Sequence, residues 1–149
     1  MAKQWDESLI INAPIDDVWR FLDGGLEDLQ EVMPNVVDHK MIKKTDIGIG
    51  SIHRQKYRVG NKLLEYDVHT LEYMNKKDHK KLTVAFELPD MCKINCSYEL
   101  FEVSKKVTKF RYYGVNEPLR WYIAPIVLIS GDTIVKEFLM KTKQVAEDN

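Results

Sequence analysis

The chain reads as an α+β protein: a seven-stranded antiparallel sheet, two short helices after the first strand, and a long helix at the C-terminal end. Three observations predict this. Between Val36 and Val115 apolar residues recur with a period of two, and short clusters of turn-forming residues interrupt them, as in consecutive antiparallel hairpins. After Val115 the period returns to that of a helix. Ahead of the sheet, an extended apolar run from Ser8 to Ile11 breaks at Ala13-Pro14 and continues at once as a helical pattern.

Trp5 to Asn12 forms the predicted first strand, and Pro14 to Asp23 the first helix. Pro14 suits the first helical position, where its missing N–H costs nothing and its fixed φ is already helical. Asp16 and Asp17 place negative charge at the positive end of the helix dipole. Ile15, Val18, Trp19 and Leu22 then fall at i, i+3, i+4 and i+7, one apolar stripe, and Gly24-Gly25 stops the helix. A second short helix, Leu26 to Met33, carries Leu26, Leu29 and Met33 at helical spacing and ends before Pro34.

Six further strands are expected at about Val36 to Lys44, Ser51 to Val59, Lys62 to Tyr73, Lys81 to Leu88, Lys93 to Val103 and Val107 to Val115. Turn-formers separate them, among them Gly48-Ile49-Gly50, Gly60-Asn61 and Pro89-Asp90. Glu117-Pro118 is the expected start of the C-terminal helical region. Pro125 and Gly131 interrupt it, predicting a kink or a short hinged segment before Asp132 to Glu147. There Ile134, Val135, Phe138, Leu139, Thr142 and Val145 make one face.

With 149 residues, 44% of them apolar and 30% charged, the chain is expected to be one domain, 1–149, able to bury roughly two-thirds of its unfolded surface. A net charge of −1 and the lack of a basic stripe argue against a nucleic-acid partner. The N-terminal residues contain no apolar signal region. The longest apolar run, Trp121 to Ile129, falls short of the roughly 20 residues that cross a bilayer. No stable membrane insertion is expected, and a cytoplasmic location follows. Oligomeric state is left open.

No Gly-rich phosphate loop, nucleophile elbow or zinc helix is present. Cys92 and Cys96 lack the second ligand pair of a zinc site and read as ordinary thiols on a strand, so neither metal nor cofactor is expected. His79 and the lysine pairs Lys43-Lys44, Lys76-Lys77, Lys80-Lys81 and Lys105-Lys106 read as solvated turns and protected strand ends.

The stretch from Ile11 to Leu22, a strand followed by Ala-Pro and then Val-Trp, resembles the start of the START-like superfamily, also called SRPBCC, which includes polyketide cyclase/dehydrase-type proteins. The resemblance extends to the order of elements along essentially the whole chain. It implies a helix-grip fold, in which a curved antiparallel sheet wraps a long C-terminal helix and encloses a cavity. It also implies binding or transport of a small hydrophobic or amphipathic ligand, such as a lipid, polyketide-like or isoprenoid molecule. Two alternatives come from other branches: a cyclase/dehydratase-type enzyme and a chaperone-activator-like interaction module.

Gly50-Ser51-Ile52-His53-Arg54 resembles the family stretch in which a turn of small residues leads into a strand whose Arg points into the cavity. His53 stands at that Arg's place, exchanging a permanent cation for a titratable group. Glu65 resembles an acidic family residue that approaches the ligand. In the enzyme alternative His53 and Glu65 would form the acid–base pair. Patterning conflicts with that placement: Leu64, Tyr66 and Val68 form the apolar set of their strand, whereas the resemblance turns Glu65 inward, with Asp67 sharing its face and His69 undecided. A single bulge would reconcile the two. Phe86, Tyr98, Phe110 and Tyr112 keep one parity on the later strands, which fits core packing and also fits an apolar cavity with a few hydroxyls. Tyr57 joins them on its own strand, and Met33, Trp121 and Phe138 would close the cavity from the helical side.

Overall fold

The computed structural model describes residues 2–119 and 124–148, side chains included except at 124–132. Seven strands form one antiparallel sheet: β1 (Lys3–Ile11), β2 (Val36–Lys43), β3 (Ile52–Val59), β4 (Lys62–Asn75), β5 (His79–Leu88), β6 (Cys92–Ser104) and β7 (Val107–Pro118). Their spatial order is β1-β7-β6-β5-β4-β3-β2. From β2 to β7 each strand pairs with the next, as short turns dictate. Helices α1 (Ile15–Asp23) and α2 (Leu26–Val32) follow β1 and carry the chain to the far edge, where β2 begins. Helix α3 (Ala124–Glu147) packs against β1, β7 and both short helices. This is the predicted helix-grip architecture, with the curved sheet closing on α3.

Helix α1 starts as its sequence dictates. Pro14, extended and just outside the helix, offers its carbonyl to the N–H groups of Asp17 at 3.0 Å and Val18 at 3.3 Å. Ile15, Val18, Trp19 and Leu22 are buried as the stripe predicts, and Phe21 joins them with no exposed surface. Fully buried Ile11, Val36, Leu100 and Phe110 meet this face from the sheet.

Two glycines are needed for close approach. A Cβ on Gly114 would lie 2.4 Å from the Asn95 carbonyl oxygen and 2.8 Å from the Cys96 Cα, inside the β6–β7 pair. Gly48, at φ +86°, lies against the Tyr73 ring, where a Cβ would come within 2.7 Å. Tyr73 donates its hydroxyl to Asp23 at 2.6 Å, so the β2–β3 loop is tied through one ring to the end of α1.

The C-terminal region corrects three expectations. Glu117 and Pro118 continue β7, paired with Lys93 and Cys92, instead of starting a helix. Helix α3 then runs unbroken from Ala124 to Glu147. Pro125 is its second residue, where no helical acceptor awaits an N–H, and an interior glycine weakens a helix without ending it. Ile134 is 55% exposed, so the buried face consists of Val135, Phe138, Leu139, Thr142 and Ala146. At the far end, Lys143 Nζ donates to the Ile10 carbonyl and the Asn12 N–H donates to the Glu147 carboxylate, both at 2.8 Å.

The run from Lys76 to Lys81 is not uniformly solvated. β5 already begins at His79, whose ring Nε2 donates to the Glu99 carboxylate at 2.7 Å and whose ring stacks on Phe101 at 4.7 Å. Lys80 is only 4% exposed. Its ammonium donates to Asn75 Oδ1 and to the Lys76 carbonyl, and it lies 3.1 Å from Asp16 in the first turn of α1. Period-two alternation places Lys80 on the inner face beside its β6 partner Leu100, a position that composition alone does not betray.

Candidate functional site

The inner face of the sheet is fixed by parity. Successive side chains alternate sides, so the registers place His39 beside Gln55, Gln55 beside Tyr66, and His53 beside Val68 on one surface. Farther across, Phe86, Ile94 and Asn116 share a row, as do Val84, Cys96, Gly114 and Trp5, and Leu82, Tyr98 and Tyr112.

Two groups of side chains stand on this face. Around α3, Tyr98 and Tyr112 stack at 5.1 Å, nearly parallel at 5°. Phe138 presents its edge to Tyr98 at 5.6 Å, to Tyr112 at 5.2 Å and to Phe110 at 6.0 Å. These four candidates are brought together as a packed aromatic cluster with Cys96, whose thiol lies 3.7 Å from the Tyr98 hydroxyl. Burial pushes the Cys96 thiol up to about 11 and raises both tyrosines well above their usual 10.

The second group lies on β2, β3 and β4. His39 Nδ1 is 2.8 Å from Gln55 Oε1, and Gln55 Nε2 donates to the Tyr66 hydroxyl at 2.7 Å. With the amide oxygen facing His39, Nδ1 is the donor there, and the imidazole–amide–phenol chain carries one consistent direction. His53 stacks on His39, ring centroids 4.6 Å apart. Burial holds both imidazoles below the ordinary 6.5; at His39 the Gln55 hydrogen bond and Asp38 oppose this, and at His53 the neighbouring His39 adds to it. Burial raises the Tyr66 hydroxyl, against the Gln55 hydrogen bond. At neutral pH the whole group is therefore uncharged and polar.

Glu65 is not part of it. The patterning of Leu64, Tyr66 and Val68 prevails without a bulge before Thr70: Tyr66 and Val68 are buried, and Glu65 is exposed on the outer face, 3.8 Å from Lys56. Asp67 shares that outer face, bound by Arg54 at 2.9 Å, and His69 is exposed there too. A carboxylate on the opposite side of a sheet cannot exchange a proton with His53, so the predicted His53–Glu65 pair does not exist. Tyr57 and Phe86 are half-buried on the inner face, and Met33, half-buried at the end of α2, packs against the core. Trp121 lies outside the described residues.

Sequence reasoning missed His39, Gln55, Trp5 and Asn116. Once His53 and Tyr57 face inward, Gln55 between them must do so too, and that signal was legible. His39 depends on the β2 register, which has a shift between Val36 and Asp38. The Trp5 indole nitrogen and the Asn116 Oδ1 are buried with no hydrogen-bond partner among the described residues.

No protein-family model matches this sequence, and no curated protein does. Solved structures do match it in fold. The Zhui aromatase/cyclase from Streptomyces sp. R1128 superposes with a TM-score of 0.79 at 10% identity, over 99% of this chain and 94% of that one. A START superfamily protein from Mycobacterium smegmatis gives 0.78 at 11% identity, over 97% of both chains. Norcoclaurine synthase from Thalictrum flavum, as a point mutant with a transition-state analogue, gives 0.65 at 16% identity, over 99% and 96%. The chain thus has a START/SRPBCC-type fold. No helix among the described residues is long and apolar enough to cross a membrane.

Proposed function

We propose that this chain, acting as a single START-like domain in the cytoplasm, binds a small uncharged hydrophobic or amphipathic molecule between the sheet and α3. The ligand would be lipid-, polyketide- or isoprenoid-like. The observation that carries this reading is that Trp5 Nε1 and Asn116 Oδ1, on the inner face that also bears the neutral His39–Gln55–Tyr66 chain, are buried with no hydrogen-bond partner among the described residues. Leaving a buried donor or acceptor unmade costs about 1–3 kcal/mol. A ligand hydroxyl or carbonyl would recover that cost, while the aromatic surroundings take its apolar body. Neutral imidazoles and phenols favour an uncharged polar end over a carboxylate, whose burial would go uncompensated. His53, Tyr57, Tyr66 and Phe86 would contact the ligand; Tyr98, Phe110, Tyr112 and Phe138 would form its packed floor.

Titration with the neutral fluorophore N-phenyl-1-naphthylamine tests this. Saturable binding that the neutral isoprenoid alcohol farnesol displaces better than dodecanoate supports it. Non-saturable fluorescence, or preference for the carboxylate, would sink it.

A further inference from the structure

The ladders of β2, β4 and β6 each slip by one residue towards the end of the strand. Met41 pairs with His53 and Lys43 with Ile52, which leaves Ile42 over. Thr70 pairs with Val84 and Glu72 with Thr83, leaving Leu71. Glu102 pairs with Thr108 and Ser104 with Val107, leaving Val103. A bulge re-aims its extra residue away from the ladder. Here that residue is a large aliphatic each time, and all three stand in water, Val103 with 59% of its surface exposed.

β2, β4 and β6 run in the same direction, so the turns that follow them gather at one end of the sheet. The β2–β3 loop lays Gly48 against the Tyr73 ring, and the Asp78 carbonyl of the β4–β5 turn accepts the Glu102 N–H at 2.9 Å. Each turn brings one lysine pair: Lys43-Lys44, Lys76-Lys77 and Lys105-Lys106. All six are exposed, and none is in an ion pair among the described residues. The β2–β3 loop adds two exposed aliphatics, Ile47 at 69% and Ile49. That loop is firmly built. Thr45 Oγ1 donates to the Ile49 carbonyl at 2.7 Å, the Thr45 N–H to Ser51 Oγ at 3.2 Å, and the Gly50 N–H to the Thr70 carbonyl at 2.9 Å. Against the six lysines these turns set three carboxylates, Asp46, Asp78 and Glu102, in a chain whose net charge is −1. At the start of α1, Asp16 is paired with Lys80 and Asp17 is half-buried.

We propose that this end of the sheet docks the protein on the surface of an anionic lipid bilayer. The aliphatic side chains enter the headgroup boundary, and the lysines meet the anionic headgroups. Each lysine held within a Debye length of an anionic leaflet adds to the attraction. Exposed apolar side chains gain by leaving water where a nonpolar phase receives them. Ile42, Ile47, Ile49, Leu71 and Val103 stand singly on separate turns, an array that a fluid interface accepts one side chain at a time. None of the five is aromatic, so they offer the bases of a nucleic acid nothing to stack on. The docking is peripheral and does not depend on the ligand reading above.

Vesicle sedimentation of the intact chain tests this, with vesicles of phosphatidylcholine alone and with roughly one-third phosphatidylserine. The protein should pellet with the anionic vesicles, stay in solution with the neutral ones, and be released by about 0.5 M salt. Combined Lys43→Gln, Lys44→Gln, Lys105→Gln and Lys106→Gln should weaken partitioning by at least about tenfold. Ile47→Ser with Val103→Ser should weaken it by about three- to tenfold. Lys62→Gln with Leu63→Ser, both exposed at the opposite end of the sheet, should change it by less than about twofold. Ile47→Cys, folded first and then labelled with acrylodan, should shift its emission to the blue on anionic vesicles even where the multiple variants fold poorly. Leu63→Cys labelled in the same way should not; the native Cys92 and Cys96 are buried. No pelleting with anionic vesicles, equal pelleting with neutral ones, or tighter binding to duplex RNA than to vesicles overturns the proposal. So does a blue shift at position 63 as large as that at position 47.

Discussion

His39 and His53 stack face to face, 4.6 Å between centroids and 15° from parallel, on neighbouring strands of the inner face. Two protonated imidazoles in that arrangement repel each other, and burial opposes charging either one. Their folded pKa values lie below the ordinary 6.5, so near that pH the unfolded chain binds more protons than the folded one. Stability is therefore fully present above about pH 6.5 and declines as the pH falls below it. Urea midpoints measured from about pH 8 to about pH 5 should show that decline. The double substitution His39→Gln, His53→Gln should flatten it, and an unchanged slope would refute the assignment.

Tyr66→Phe removes one hydroxyl and strands Gln55 Nε2 in a buried place. The expected cost is about 1–3 kcal/mol of stability. Binding of N-phenyl-1-naphthylamine, whose diarylamine nitrogen is a poor acceptor for the Tyr66 O–H, should change little. Farnesol should bind about 2–10-fold more weakly, the worth of one neutral hydrogen bond. Glu65→Gln should leave both affinities unchanged, because its side chain is on the other face. Chemical denaturation and competition titrations measure all three effects.

Trp19 is 6% exposed and meets Tyr73 at 6.0 Å. Trp19→Ala should cost roughly 3–5 kcal/mol and leave little soluble protein at 37 °C, a temperature at which a loss of that size consumes much of a typical stability of about 5–15 kcal/mol. Wild-type thermal unfolding would mean that the α1 stripe is not a core element.

Lys80 separates two electrostatic regimes within one ion's surroundings. Asn75 accepts from its buried ammonium, whereas the Asp16 side chain is 82% exposed. Asn75→Ala should destabilise by about 1–3 kcal/mol by leaving a buried charge short of an acceptor. Asp16→Asn should cost under about 1 kcal/mol, since water screens an exposed partner. Equal effects in thermal melts would contradict this account.

Gly114→Ala should be severe for a different reason. Its new Cβ meets backbone, not a flexible side-chain end, so β6 and β7 must separate. A loss of about 1–3 kcal/mol or more is expected, seen as faster amide exchange at Cys96 and Asn116 than at Leu100 and Phe110.

The two short helices, the strand order and the apolar face of β4 were legible because each rests on local periodicity and turn chemistry. Patterning placed Tyr66 and Val68 correctly where analogy for Glu65 did not, since one-residue alternation is enforced by burial along the whole strand. Less local features escaped. The inward Lys80 needs the Asn75, Lys76 and Asp16 acceptors to be tolerable, and these come from a turn and a distant helix. The shift of register between Thr70 and Glu72 follows from how β4 and β5 meet, which no property of either strand alone records.

The bonds from Lys143 to Ile10 and from Asn12 to Glu147 give the sheet two unlike ends. At β1 the last turns of α3 occupy polar groups that an edge strand would otherwise offer to a neighbour. At β2 the edge carries exposed Lys40 and Lys43 and breaks register at both ends, features that discourage a second molecule from adding a strand. One margin is latched from within and the other is defended by charge and irregularity. Opening at the β1 margin is thereby coupled to the helix: β1 leaves only when α3 gives up the Ile10 carbonyl and the Asn12 N–H.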